Sequence, residues 1–256
     1  MKIFFLCAGV FFSVLTVGCN QPAQQPQEVK TTLIKDTIIP ENQSLKHWKV
    51  YETVTMKDIE KFGFEKCFCI EEISDKIFSR MKGKSFADNC TLKREDLRYL
   101  KLLHYDLNGD IRLGEMVCNK AIAEDLINIF HELFVKKYPI EKIRLIDDYD
   151  ADDEKSMSDN NTSCFCFRNV SGSNSLSLHA LGKAVDINTR YNPYIRTFRG
   201  KTVIQPANGE PYCDRSKDFD YKITAEDDCC KIFKKYGFLW GGEWGAYKDY
   251  QHFYKK

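Results

Sequence analysis

The spacing of apolar and polar residues along the chain predicts a mixture of helices and strands. In "NKAIAEDLINIFHELFVKKYP", apolar residues recur every three or four positions from Ile122 to Phe134. This spacing predicts a helix with Lys136 and Lys137 in its last turn, stopped by Pro139. The segment "ITAEDDCCKIFKKYGF" predicts a second helix. We expect Thr224 to be its N-cap and Gly237 to follow its end.

Strand signals occur between and after these helices. Asn108-Gly109 lies between short apolar runs in "YDLNGDIRLGE", which predicts a β-hairpin. The run "IEKIRLIDDY" is typical of a strand, and the aromatic residues of "LWGGEWGAYKDYQHFYKK" predict a turn followed by a terminal strand. Helices and strands in mixed order, with little strict βαβ alternation, indicate the α+β class.

The first 45 residues have a different composition. Lys2 and the apolar run from Ile3 to Val17 are typical of a signal peptide, which we place at residues 1–18. The ending Thr-Val-Gly-Cys resembles a bacterial lipobox and predicts lipidation of Cys19, although Cys19 is incidental in an ordinary signal peptide. The Gln- and Pro-rich run "NQPAQQPQEVK" after Cys19 predicts that residues 19–45 form a flexible tether, which leaves residues 46–256 as a single folded domain. We therefore expect an exported lipoprotein of the bacterial cell envelope, facing the periplasm and held to the membrane by a lipid on Cys19.

The overall composition gives little indication of binding partners. The formal net charge of the 256 residues is +1, which gives no electrostatic argument for a nucleic-acid partner. Beyond the predicted signal peptide and Cys19, nine cysteines remain, so at least one stays free or pairs between chains. The Cys-x-Cys pairs lack the spacing of a structural zinc site, which favours packing or disulfide bonds over a metal role.

Candidate chemistry is concentrated in "SLHALGKAVDIN", which contains His179, Gly182 and Asp186. "AVDI" predicts a short buried strand, and burying the Asp186 carboxylate is costly unless a cation or hydrogen bonds compensate. A divalent metal shared with His179 would compensate. The alternative is a carboxylate that orients a core histidine.

The C-terminal "DYQHF" contributes Asp249 and His252. Two imidazoles and one carboxylate make three protein ligands, which is the arrangement of a catalytic zinc with a fourth position open. Asp249 is then the candidate proton acceptor. Residues three apart lie on opposite faces of a straight strand, so a bend or bulge is required between Asp249 and His252. The other histidines, His47, His104 and His131, lack comparable neighbours.

These two segments together resemble the zinc D-alanyl-D-alanine carboxypeptidase and L-alanyl-D-glutamate endopeptidase family. That family carries S-x-H-x-x-G-x-A-x-D followed by a C-terminal [DE]-x-x-H. The resemblance extends over roughly Leu100 to Phe253. Its fixed positions are present as Ser177, His179, Gly182, Ala184, Asp186, Asp249 and His252.

The resemblance implies one catalytic Zn²⁺ bound by His179, Asp186 and His252, with Asp249 as the general base. It implies an α+β fold of the hedgehog/DD-peptidase type, a small antiparallel sheet with flanking helices. The expected substrates are peptidoglycan stem peptides or cross-links, cut next to a D-amino acid, with carboxypeptidase and endopeptidase both open. The alternative is a zinc-containing module of the same fold that binds the cell wall without turnover.

One departure from the family concerns the substrate arginine. Vancomycin-resistance type members carry an arginine in S-x-Y-R-S before the zinc motif, and Asp150 lies where that arginine is expected. Arg168 is our substitute for receiving a peptide carboxylate, and an ordinary surface arginine is the alternative. Ser177 either hydrogen-bonds substrate or fixes the loop that carries His179. Trp240 and Trp244 line the cleft or pack in the core.

Overall fold

The computed structural model describes residues 48–170 and 172–256. The predicted signal peptide, Cys19 and nearly all of the predicted tether lie outside these residues. Helices and small, mostly antiparallel sheets alternate irregularly, which confirms the α+β class. The α-helices of the described residues are α1 (Met56–Phe62), α2 (Asp75–Met81), α3 (Ala123–Val135), α4 (Asp153–Ser158) and α5 (Asp228–Lys235).

Eleven short strands accompany these helices within the described residues. They are β1 (Cys69–Glu72), β2 (Leu97–Tyr105), β3 (Ile111–Asn119), β4 (Lys142–Ile143), β5 (Asn161–Thr162), β6 (Ala184–Asp186), β7 (Tyr194–Phe198), β8 (Lys201–Gln205), β9 (Leu239–Trp240), β10 (Lys248–Asp249) and β11 (His252–Tyr254). Three sheets are antiparallel, in the orders β1-β2-β3, β10-β7-β8 and β6-β11-β9, and β4 and β5 form a parallel pair.

The longest hairpin supports the main core. β2 and β3 pair over their full length around Asn108 and Gly109, which confirms the predicted hairpin. Helix α3 packs on this sheet, and its apolar stripe, including Leu126 and Phe130, is fully buried with Leu100 of β2. The helix ends at Val135, two residues before the predicted end.

The last turn of α3 differs from the prediction because the chain reverses before Pro139. Lys136 is the C-cap, and Lys137 has a φ of +54° and lies outside the helix. The residue before a proline is disfavoured in the helical region, so Tyr138 does not extend the helix. The two lysines therefore follow the helix and do not form its last turn.

The predicted strand in "IEKIRLIDDY" is wrong for most of its length. Only Lys142–Ile143 form a strand, and a 3₁₀ helix occupies Ile146–Tyr149. The side chain of Asn161 bonds both backbone groups of Arg144, accepting at 2.9 Å from its N–H and donating at 3.1 Å to its carbonyl. These bonds take the place of a strand partner, so the ladder ends at once.

The second predicted helix forms, but Thr224 is not its N-cap. Helix α5 begins at Asp228, and the Asp227 side chain caps it by accepting from the N–H of Cys229 at 2.8 Å. Thr224 instead accepts through its backbone carbonyl from the N–H of Asp227, in the turn that precedes the helix. Gly237 follows the helix end with a φ of +82°, as predicted.

Most cysteines of the described chain contribute apolar packing. Eight have free thiols: Cys67, Cys90, Cys118, Cys164, Cys166, Cys213, Cys229 and Cys230. All but Cys90 and Cys213 of these are buried, which agrees with the packing alternative. Within residues 48–170 and 172–256, no helix has the length and apolar composition that crossing a bilayer requires.

Candidate active site

The loop before β6 fixes the backbone of His179. The Ser177 hydroxyl accepts from the N–H of His179 at 3.2 Å, and a 3₁₀ helix spans His179–Leu181. Gly182 then turns the chain with a φ of +64°, and a Cβ there would lie 2.6 Å from the backbone nitrogen of Asn119. Only glycine meets both requirements. Ser177 is 5% exposed, which agrees with a role in holding this loop.

Strand pairing aligns the other two members of the predicted site. β6 and β11 are antiparallel, with Asp186 directly opposite His252. Directly opposite residues of an antiparallel pair point to the same face of the sheet, so the pairing places both side chains on one side. The neighbouring Phe253 is fully buried and stacks on Phe233 of α5, which anchors β11 in the core.

His179, Asp186 and His252 form a compact buried cluster. One ligand atom from each lies within 4.8 Å of the other two. Nε2 of His179 is 3.1 Å from Oδ2 of Asp186, and Nδ1 of His252 is 2.9 Å from Oδ1 of Asp186. The two imidazole nitrogens are 3.1 Å apart. This cluster could hold a metal ion.

The donor set fits zinc. Two imidazoles and one carboxylate are the protein ligands of many catalytic zinc sites. Nδ1 of His179 lies 2.7 Å from the carbonyl of Cys164, so Nδ1–H donates there and the Nε2 lone pair faces Asp186. The Trp244 ring lies 5.4 Å from the His252 ring, centroid to centroid, and lines one side of the cluster.

Charge within the cluster shifts the pKa values of Asp186 and His179 in opposite directions. Burial opposes ionisation of Asp186, yet the two histidines hold the pKa of its carboxyl well below the usual range. Burial likewise opposes protonation of His179, and the Asp186 carboxylate outweighs it and raises the pKa of that imidazole. The cluster therefore has a strong preference for a cation beside the carboxylate, supplied either by a proton or by a metal.

Asp249 and His252 belong to different sheets. Asp249 ends β10, which pairs with β7, whereas His252 begins β11. The intervening Tyr250 and Gln251 make the bend that the sequence requires. A Cβ at Gly241 would lie 2.9 Å from Cβ of Asp249 and 3.3 Å from Cβ of His252, so this glycine permits their close approach.

The Asp249 carboxyl is suited to exchanging a proton. Its Oδ1 is buried and has no hydrogen-bond partner among the described residues. Burial, aided by the negative charge of Asp186 and opposed by His252, raises the pKa of Asp249 to about 7. A carboxyl with a pKa near neutrality changes protonation state readily at physiological pH.

Arg168 is close enough for its charge to affect the cluster. Its positive charge contributes to the pKa values of His179 and Asp249, and its Nε forms an ion pair with Asp153 of α4. Asp153 was not a sequence candidate, because an acidic residue in the first turn of a helix is ordinary. Asp150 is exposed and pairs with Lys84 at 2.7 Å, outside the cluster.

The two tryptophans separate into different environments. Trp240 is 5% exposed and stacks on Phe253 in the core. Trp244 is half-buried beside His252, where it can contact a substrate. The cleft-lining alternative thus fits Trp244, and the core-packing alternative fits Trp240.

Comparison with known proteins bears on the C-terminal part of the chain. Residues 171–255 match a family model described as D-alanyl-D-alanine carboxypeptidase. Comparisons with curated proteins and with solved structures gave no match. The matched residues include His179, Asp186, Asp249 and His252, whereas Arg168 and Asp153 precede them. The match supports a peptidoglycan peptidase resembling D-alanyl-D-alanine carboxypeptidases, and such an enzyme acts at the cell envelope.

Proposed function

We propose that the chain is a zinc-dependent peptidase that hydrolyses peptidoglycan stem peptides or cross-links next to a D-amino acid. The observation that carries this proposal is the buried His179–Asp186–His252 cluster with the Asp249 carboxyl beside it, whose Oδ1 has no hydrogen-bond partner among the described residues. A structural metal site has no need of a second carboxyl with a pKa near neutrality. A hydrolase that activates water needs one.

His179, Asp186 and His252 would hold the metal. When bound, zinc in such a site acts as a Lewis acid and makes water more acidic. Asp186 contributes negative charge, and the Cys164 carbonyl keeps Nε2 of His179 available as a donor by accepting the proton on Nδ1.

Asp249 would act as the general base and then as the general acid. Its ionised carboxylate accepts a proton from the attacking water, and the resulting acid delivers that proton to the departing amine. Both steps require a carboxyl that is stable in each protonation state at neutral pH, which agrees with its pKa of about 7. Burial of Oδ1 keeps bulk water from competing for the proton.

Arg168 would bind a carboxylate of the substrate. Its guanidinium is half-buried and is held by Asp153, which limits the entropy lost when a substrate carboxylate binds. The partial exposure leaves part of the guanidinium available. Ser177 would act through the loop it fixes. In this proposal, Asp249 activates water and Arg168 anchors the substrate, so the two roles belong to different residues.

The remaining parts of the proposal concern fold and location. We propose a hedgehog/DD-peptidase fold for the domain, supported by the antiparallel β6-β11-β9 sheet that carries two of the metal ligands. The envelope location follows from the substrate, and a lipid on Cys19 would tether the domain to the membrane. Peptidoglycan peptides are thus the proposed partner, with no role for nucleic acid.

The test is hydrolysis of peptidoglycan by the purified full-length chain, analysed by mass spectrometry with a chelator and with added zinc. Zinc-dependent release of terminal D-alanine identifies a carboxypeptidase, and release of larger stem fragments identifies an endopeptidase. Asp249→Asn should lose the activity, while Asp218→Asn, at an exposed carboxylate, should retain it. A zinc-loaded, folded chain that releases no product would instead be the non-catalytic binding module.

A further inference from the structure

One cavity lies apart from the proposed metal-binding cluster. Its volume is about 510 Å³, within the usual range for small-molecule sites. We call it the arginine pocket and define it by Tyr51, His104, Glu141, Arg144, Arg190 and Tyr191. Apart from one leucine, its lining consists of polar, charged or tyrosine side chains, which favours a polar ligand over an apolar one.

Arg144 provides an incompletely paired positive charge in this pocket. Its guanidinium lies 3.9 Å from the centre of the Tyr51 ring and forms no ion pair with a carboxylate of the described residues. Its Nε is buried and has no hydrogen-bond partner in the described part of the chain. A buried guanidinium nitrogen without an acceptor is costly, and an anionic ligand would satisfy it.

Arg190 adds a second guanidinium. It donates to the Tyr191 hydroxyl at 2.9 Å and lies 3.6 Å from Glu141, which partly offsets its charge. Its Nε is also buried, and within residues 48–170 and 172–256 nothing accepts from it. Glu141 is shared with Lys142 and accepts from Asn160, so its charge is divided among several donors.

His104 supplies a second, independent feature. The side chain is 3% exposed, and its Nδ1 lies 2.7 Å from the carbonyl of Ile140, to which it must donate. Nε2 is then an acceptor, and it has no partner among the described residues. Burial lowers the pKa of His104 to about 4, so the imidazole stays neutral and Nε2 needs a donor.

We propose that the arginine pocket binds a small polyhydroxylated acid, with its carboxylate or phosphate on Arg144 and Arg190 and a hydroxyl donating to Nε2 of His104. An anion alone would leave His104 unsatisfied, and a neutral sugar would leave the two guanidinium nitrogens unsatisfied. A ligand that carries both an anionic group and a hydroxyl gives a hydrogen-bond partner to His104 and to both guanidinium nitrogens. The pocket shares no lining residue with the metal-binding cluster, so the proposal does not depend on peptidase activity.

Calorimetric titration of the full-length chain tests the proposal with three matched probes: glucuronate, glucose 6-phosphate and glucose. We expect saturable binding of at least one acid, and binding of glucose at least tenfold weaker, because a charge-assisted hydrogen bond contributes roughly tenfold to a hundredfold in affinity. The tighter acid distinguishes a carboxylate site from a phosphate site.

Arg144→Gln should weaken acid binding by roughly tenfold to a hundredfold, whereas Arg199→Gln, at an arginine that does not line the pocket, should leave it unchanged. Arg190→Gln provides a second variant if Arg144→Gln unfolds, with thermal melting as the check. Three outcomes would overturn the proposal: no saturable binding of either acid up to about 10 mM, equal binding of glucose, or affinity unaffected by the pocket variants.

Discussion

Gly241 permits the close approach of the proposed general base and one proposed metal ligand. A Cβ at this position would lie 2.6 Å from the carbonyl oxygen of Asp249, 2.9 Å from its Cβ and 3.3 Å from Cβ of His252. The first contact is with backbone, which cannot rotate away. Gly241→Ala should therefore displace Asp249 and His252 from their present positions, and it should disturb the proposed catalytic geometry more than the fold.

The expected size of the effect follows from packing and from positioning. Inserting a methyl group into a filled site costs about 1–3 kcal/mol. For a domain of this size that corresponds to a fall in melting temperature of roughly 2–12 °C. Misplacement of a catalytic group by about 1 Å can cost a factor of 10² in rate. We therefore expect kcat to fall about a hundredfold in protein that still folds.

Gly245→Ala is the matched control. Gly245 lies in the same C-terminal segment, and a Cβ there would meet nothing within 4 Å. Both variants should be assayed for hydrolysis of a stem pentapeptide, for bound zinc by elemental analysis and for thermal melting. Equal activity of Gly241→Ala and Gly245→Ala would refute the argument that Gly241 sets the distance between Asp249 and His252.

Other residues of the proposed site give four further predictions. Asp249→Asn should reduce kcat by roughly 10²–10⁴-fold with zinc content unchanged; loss of zinc in this variant would contradict a base role. Gly182→Ala would place a Cβ at a residue with a φ of +64° and 2.6 Å from backbone, so this variant should lose at least about 1–2 kcal/mol of unfolding free energy. Urea unfolding measures this loss, and an unchanged unfolding midpoint would contradict the prediction. Arg168→Met should raise KM more than it lowers kcat for a substrate with a free carboxylate, and a matched amide substrate should show no difference. In metal-free protein, His179 and Asp249 both have raised pKa values, so the stability that their protonation contributes is present at low pH and lost as pH rises. The melting temperature of chelated protein should therefore be higher at pH 5.5 than at pH 8. A melting temperature that does not change with pH would contradict this prediction.

Local sequence information was sufficient where a single segment determines the structure. The hairpin around Asn108 and Gly109 and the buried stripe of α3 follow from residues close in sequence. The spacing of His179 and Asp186 in sequence was likewise enough to place them near each other. They flank a glycine turn at Gly182 that brings the His179 loop next to β6. The required bend between Asp249 and His252 could be inferred from the two-residue period of strands alone.

Distant contacts account for what the sequence did not reveal. The strand expected after α3 ends early because Asn161, far along the chain, bonds the backbone of Arg144. Asp227 and Thr224 are both capable caps, and tertiary packing determines where α5 begins. The pairing of Arg168 with Asp153 gives no periodic signal. The importance of Gly241 depends on two strands in different sheets meeting at one point.

That meeting of sheets has an evolutionary consequence. Asp249 belongs to β10, whose partner is β7, and His252 belongs to β11, whose partner is β6. Replacing the proposed base therefore alters neither the strand pairing nor the hydrogen bonds that hold the proposed metal ligands. If the proposed function holds, a lineage with this architecture could lose turnover through one codon change and retain a metal-binding receptor for the same substrate. Enzymes and binding proteins built this way would be separated by a single residue.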